Sequence, residues 1–133
     1  MRSWRDISVL VVDDNSVDRL VLKQILKRMG FREIHEAEDG SLAEFKVKNL
    51  TSMAEKLDLI FLDVRMPRMD GISFLKGIKS DRLTKNAKIV MVTGVAEKDS
   101  VEDTLAAGAD DYVVKPVRAE IIQAKLEKLF PEN

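Results

Sequence analysis

Three aspartates, one threonine and one lysine could do chemistry in this chain, and they stand just past short apolar runs. Asp13 and Asp14 follow Ile7 to Val12, Asp63 follows Leu59 to Leu62, Thr93 follows Ile89 to Val92, and Lys115 follows Tyr112 to Val114. Carboxylates gathered in one place repel one another and repel any phosphate, so unaided they make a poor anion site. A hard divalent cation resolves the conflict. Mg²⁺ takes oxygen ligands, keeps several waters and typically uses one or two carboxylates plus phosphate oxygens. Asp14 and Asp63 are the natural direct ligands, with Asp13 acting directly or through water.

Each residue also has an ordinary explanation. Asp13 and Asp14 could cap a helix starting near Ser16. Thr93 alone reads as a β-branched strand residue, and Lys115 alone as a solvated charge. Their joint placement after different apolar runs is what argues for a site.

The elements that must position them follow from the pattern. The four runs lack polar alternation, as strands covered on both faces do in parallel sheets flanked by helices. A weaker run, Glu33 to Ala37, makes five. Between them, Val17, Val21, Ile25 and Met29 keep helical spacing up to Gly30, and Ile122, Leu126, Leu129 and Phe130 line one stripe near the end. Helices are expected near 16–29, 40–56, 71–79, 98–107 and 118–130. Strand and helix alternating five times predict an α/β fold, a doubly wound five-stranded parallel sheet of (βα)5 type. Ligands of such sheets bind outside the carboxyl ends of the strands, where all five residues fall.

Composition bounds the function. At 133 residues the chain suits one domain, residues 1–133 with a core from about 7 to 130, and any output module is expected elsewhere. With 22 basic against 23 acidic side chains and a net charge of −1, it offers no electrostatic footprint for nucleic acid. It has no cysteine, hence no disulfide or thiolate metal site. Met1 to Asp6 lacks the apolar stretch of a signal peptide, and no apolar run approaches bilayer length, so no membrane association and a cytoplasmic location are expected.

Taken in order, VLVVDDN at 9–15, LIFLDVRMPRMDG at 59–71, IVMVTG at 89–94 and GADDYVVKP at 108–116 resemble the response-regulator receiver domains of two-component signalling, flavodoxin-like in fold. EAEDG at 36–40 resembles the stand-alone, chemotaxis-type (CheY-like) members. The likeness runs from Val9 to about Leu129. It implies that Asp63 accepts a phosphoryl group from the phosphohistidine of a histidine kinase or phosphotransfer protein. It further implies that Asp13, Asp14, Asp63 and the backbone carbonyl of Arg65 hold Mg²⁺, while Thr93 and Lys115 contact the phosphoryl oxygens. The assignment is chemically sensible, because phosphoryl transfer needs positioning and charge neutralisation above all.

The resemblance also makes Thr93 and Tyr112 a switch. Thr93 would move toward the phosphoryl group and the Tyr112 ring would fill the space, signalling through the surface of the fourth helix, last strand and last helix. The plain alternative for Tyr112 is a core tyrosine. Gly94 fits a place where a small residue leaves room for the phosphoryl group, Pro67 and Asp70-Gly71 read as a turn, and the resemblance implies that the Lys115-Pro116 bond is cis.

Partners implied are the phosphodonor and a downstream target protein, reached by direct contact as in chemotaxis motor control or by relay of phosphate onward. The protein is expected to act as a signalling receiver and not an enzyme, as a monomer with phosphorylation-dependent dimerisation left open.

The chain departs from the family pattern in places. Asn49 to Leu57 looks longer than usual, and Arg65 and Val95 occupy positions that tune phosphate lifetime. His35 sits in the predicted second strand, remote from the rim, and is not read as a phosphocarrier. Trp4 reads as a terminal packing residue. Among rivals, a Mg²⁺-dependent phosphohydrolase of the haloacid-dehalogenase type needs a second Asp where Arg65 stands. A flavodoxin-like cofactor binder needs a Ser/Thr/Gly-rich loop where DDNS stands. A receiver fold used as an unphosphorylated interaction scaffold is the remaining alternative.

Overall fold

Apolar side chains on both faces of each inner strand demand cover on both sides of the sheet. The computed structural model, which describes residues 3–53, 55–63, 71–82, 84–94, 102 and 105–131, meets that demand. After a 3₁₀ turn at Trp4–Asp6 come β1 (Ser8–Val12), α1 (Ser16–Met29), β2 (Glu33–Ala37), α2 (Gly40–Ser52), β3 (Leu59–Asp63), α3 (Gly71–Ser80), β4 (Lys88–Thr93), β5 (Asp111–Val114) and α4 (Ala119–Leu129). The five strands are parallel in the order β2-β1-β3-β4-β5. The chain reverses its direction of travel across the sheet between β1 and β3, where ligand crevices of such folds open.

Strand alternation divides the core in two. Val9, Val11, Leu59, Phe61, Val90, Val92 and Val113 pack with Leu22 and Leu26 of α1 and with Ile122 and Leu126 of α4. Leu10, Val12, Ile60, Leu62, Ile89 and Met91 pack with α2 and α3 through Val47, Leu50, Phe74 and Ile78. Because side chains alternate along a strand, Asp13 and Asp63 continue the first series at the carboxyl ends of β1 and β3.

Local signals set the ends of the helices. Asn15 caps α1, its side chain accepting from the N–H groups of Val17 and Asp18 at 3.0 Å each. Gly30 closes the helix at φ 110°, in the left-handed region that suits glycine. Asn15→Ala is expected to cost about 1 kcal/mol, read as a lower urea midpoint with an unchanged slope.

The second helix is shorter than its expected span of 40–56 and stops at Ser52. The hydroxyls of Thr51 and Ser52 donate to the carbonyls of Lys48 and Asn49, competing with the continuing backbone ladder. Of the long segment 49–57, residues 49–52 are therefore the last turn of α2, and Leu57 is buried just before β3. The helix expected at 98–107 falls largely outside the described residues; Glu102, Leu105 and Ala106, which are described, are helical.

Trp4 packs as expected, its ring 5.4 Å from Phe31 in a stacked pair and edge-on to Phe130 at 6.2 Å. Among the described residues no helix is long and apolar enough to cross a membrane.

Candidate functional site

Parallel register brings the strand ends onto one rim: Val12 pairs with Leu62, Asp63 with Val92, and Thr93 with Val114. Side-chain oxygens of Asp13, Asp14 and Asp63 lie within 4.8 Å of one another, Asp13 and Asp63 buried and Asp14 exposed. The rim thus holds an acidic cluster with one side open to solvent.

Asp13 is held firmly. Its N–H donates to the Ala37 carbonyl at 3.2 Å, its Oδ1 accepts from the Asn15 N–H at 2.9 Å, and its own carbonyl accepts from Arg19 Nη1 at 2.7 Å. The helix cap is Asn15, so the capping alternative for Asp13 and Asp14 gives way and both carboxylates are left to the cluster. Arg19 Nε in turn donates to Glu36 of β2 at 2.9 Å, and Lys23 binds the same carboxylate. The Lys23 hydrogen bond holds the Glu36 carboxyl below the usual carboxylate range, against a pull upward from partial burial and with help from Arg19.

Lys115 enters the cluster from the loop after β5. Its backbone N–H donates to the Thr93 carbonyl at 2.7 Å, and the bond to Pro116 is cis, as expected. Its ammonium stands 2.9 Å from Asp18 Oδ2, 3.0 Å from Asp13 Oδ2 and 3.4 Å from Asp63 Oδ2. Burial pulls the lysine pKa down, but hydrogen bonds to Asp18 and Asp13 and the charges of Asp63 and Asp13 more than offset it and raise it well above the ordinary value. A raised lysine pKa means that the pairing contributes its full stability below the unfolded value and loses it only as pH rises through the folded one. That loss belongs to strong alkali, so the ammonium is charged at every physiological pH.

Thr93 is buried beside these groups, with its hydroxyl donating to the Gly94 carbonyl at 3.0 Å. A Cβ at Gly94 would meet nothing within 4 Å, so the space there is open. Tyr112 is 39% exposed and is therefore not a core tyrosine. The Lys125 ammonium lies 5.3 Å from its ring centroid. Arg65, Pro67, Asp70 and Val95 lie outside the described residues. His35 sits on the edge strand β2, away from the rim, its Nε2 buried without a hydrogen bond and 3.6 Å from Glu33.

Three residues of the site were not anticipated from sequence: Asp18, Arg19 and Glu36. Asp18 and Arg19 could have been flagged by the position of α1 directly after the Asp13-Asp14 pair, which puts its first turn over the rim, and Glu36 by its place near the carboxyl end of β2.

The family model described as "Response regulator receiver domain" matches residues 9–127. The chain belongs to the response-regulator receiver family. It is 36% identical over 124 residues to a chemotaxis protein CheY of Pseudomonas aeruginosa, covering 93% of this chain and 96% of that one. It is 33% identical over 126 residues to chemotaxis protein CheY-3 of Vibrio cholerae, covering 95% and 93%.

Among solved structures, the CheX-CheY-BeF3-Mg²⁺ complex of Borrelia burgdorferi matches with a TM-score of 0.80 at 34% identity, over 93% of this chain and 89% of that one. A CheY-like receiver domain of Methanospirillum hungatei matches with a TM-score of 0.80 at 30% identity, over 95% and 94%. The receiver fold and its place in two-component signalling are thus those read from the ordered motifs.

Proposed function

We propose that this receiver takes a phosphoryl group on Asp63 from the phosphohistidine of a partner kinase or phosphotransfer protein and signals by a change of shape. The observation that carries the reading is the convergence of three carboxylates and one ammonium from β1, β3 and the β5 loop on a single rim. A carboxylate oxygen of Asp63 would form the new O–P bond as the donor's N–P bond breaks. Lys115 offers positive charge to the phosphoryl oxygens, and Thr93, at the carboxyl end of the neighbouring strand β4, would offer a hydroxyl donor.

The donor set fits Mg²⁺: only oxygen ligands, two of them buried, with negative charge in excess of the one ammonium. Asp13, Asp14 and Asp63 would hold the ion, joined in the family resemblance by the carbonyl of Arg65. Bound there, it would neutralise charge developing on the transferred oxygens. The chain's own part is to keep Asp13 rigid through Asn15 and Arg19 and to keep Asp63 at the end of a buried strand.

Residues 1–133 are read as one receiver unit, supported by a core whose buried residues run from Ile7 to Phe130. Output through the helix expected at 98–107, β5 and α4 is supported by the exposure of Tyr112, Val114 and Ile121 on the last two of these. The relatives named as chemotaxis proteins favour protein contact as the mode of output. Arginine at position 65 argues against a phosphohydrolase, which needs an acid there.

The test is intact mass after incubation with acetyl phosphate, with and without Mg²⁺. A gain of one phosphoryl group only with Mg²⁺ is the expected result; no gain from acetyl phosphate or from any phosphorylated kinase, in folded protein that binds Mg²⁺, would favour use as an unphosphorylated scaffold. Tyr112→Ala is expected to label as wild type does and to bind its output target more weakly. Equal binding by the phosphorylated variant would remove Tyr112 from the switch.

A further inference from the structure

Lys115 has three N–H donors and faces three carboxylates, with Asp18 nearest at 2.9 Å, Asp13 at 3.0 Å and Asp63 farthest at 3.4 Å. The ammonium therefore leans toward α1 and away from the residue it must serve. To bond a phosphoryl oxygen it has to surrender one of these partners.

The costs of surrender differ. Asp13 is buried, with its other oxygen committed to the Asn15 N–H, so leaving it would strand a charge with little water to solvate it. Asp18 has a side chain 39% exposed and sits in the first turn of a 14-residue helix. Water and the positive end of the helix dipole stabilise its charge when the ammonium departs. Asp18 is the partner that can be released.

From this geometry, and resting on the phosphoacceptor reading above, we infer that Asp18 is a positioning residue: it holds the Lys115 ammonium toward α1 in the unmodified protein and yields it when a phosphoryl group occupies Asp63. The contact spans 97 residues of sequence and joins the first helix to the loop after the last strand. It makes the modified state compete against an existing ion pair. Asp18 also adds a negative charge that opposes the incoming phosphoryl oxygens. Its neutralisation should favour the modified state on both counts.

The test uses Asp18→Asn and Asp18→Glu in the full chain, with two readouts. In metal-free protein, proton exchange of the Lys115 ammonium is followed by ¹H–¹⁵N correlation, the signal assigned by its loss in Lys115→Met. Asp18→Asn is expected to speed that exchange and Asp18→Glu to restore it. At saturating Mg²⁺, affinity for beryllofluoride as a phosphoryl mimic is expected to rise about two- to five-fold in Asp18→Asn, the range set by loss of one partly exposed ion pair, and to return toward wild type in Asp18→Glu.

An acid serving only the helix dipole would lower stability in Asp18→Asn and leave both readouts unmoved, which overturns the inference. Wild type that binds beryllofluoride while Asp18→Asn shows no gain also overturns it. Failure of wild type itself to bind would sink the phosphoacceptor reading and this inference with it, and the protected ammonium would then mark a static ion pair.

Discussion

Asp63→Asn is expected to abolish the Mg²⁺-dependent gain of a phosphoryl group from acetyl phosphate, with no labelled species in the intact mass spectrum. The reasoning is chemical: an amide oxygen is a far weaker nucleophile than a carboxylate, and no other acid on the rim can replace it. Asp13 has one oxygen committed to the Asn15 N–H and the other 3.0 Å from the Lys115 ammonium, and Asp14 stands out in solvent. Stability should change little by comparison, because the amide keeps the shape of the side chain at the end of β3. Labelling of Asp63→Asn at the wild-type level would place the acceptor elsewhere and end the proposed role of Asp63. The wild-type control lacking Mg²⁺ separates the nucleophile from the ion.

The second large effect is structural. Phe61 lies in β3, the middle strand of five, is 1% exposed, and packs in the cluster that α1 and α4 cover. Phe61→Ala removes a fully buried ring from the core, and is expected to cost about 3–5 kcal/mol of unfolding free energy. Urea titration should show a much lower midpoint. Val114→Ala serves as the contrast: on edge strand β5 and 42% exposed, it should stay within about 0.5 kcal/mol of wild type. A loss at Phe61 no larger than that at Val114 would contradict the two-sided burial of β3. The same substitution probes the site, since Phe61 and Asp63 share one strand and one face of it. Weakened labelling in folded Phe61→Ala would show how much the nucleophile depends on a rigid strand end.

What the sequence determined by itself was the sheet and its candidate rim. Runs such as Leu59 to Leu62 carry apolar side chains to both faces, and such a pattern is satisfied only by a strand with helices on both sides. Once those runs are parallel strands, Asp13, Asp14, Asp63, Thr93 and Lys115 must emerge at the same end, and alternation assigns Asp13 and Asp63 to one side. The stop at Gly30 is equally local, depending on groups within one helical turn, whereas the cap fell to Asn15 and not to Asp13 or Asp14, which the sequence offered.

Tertiary structure decided the rest, and the reason in each case is that the partners are distant in sequence or in competition with one another. The end of α2 at Ser52 was set by two hydroxyls competing for carbonyls inside an otherwise helical pattern. Tyr112 has the composition of a core residue yet lies at the surface, because β5 is an edge strand. Arg19 bridges the Asp13 carbonyl and the Glu36 carboxylate, which parallel pairing of β1 and β2 brings alongside. Asp18, an unremarked acid in a helix's first turn, became the nearest partner of Lys115 because the fold brings the start of α1 against the loop after β5, 97 residues away in sequence. Sequence spacing can put charges on a common rim, but the choice of which carboxylate holds the one ammonium depends on differences of a few tenths of an ångström, which only the packed chain determines.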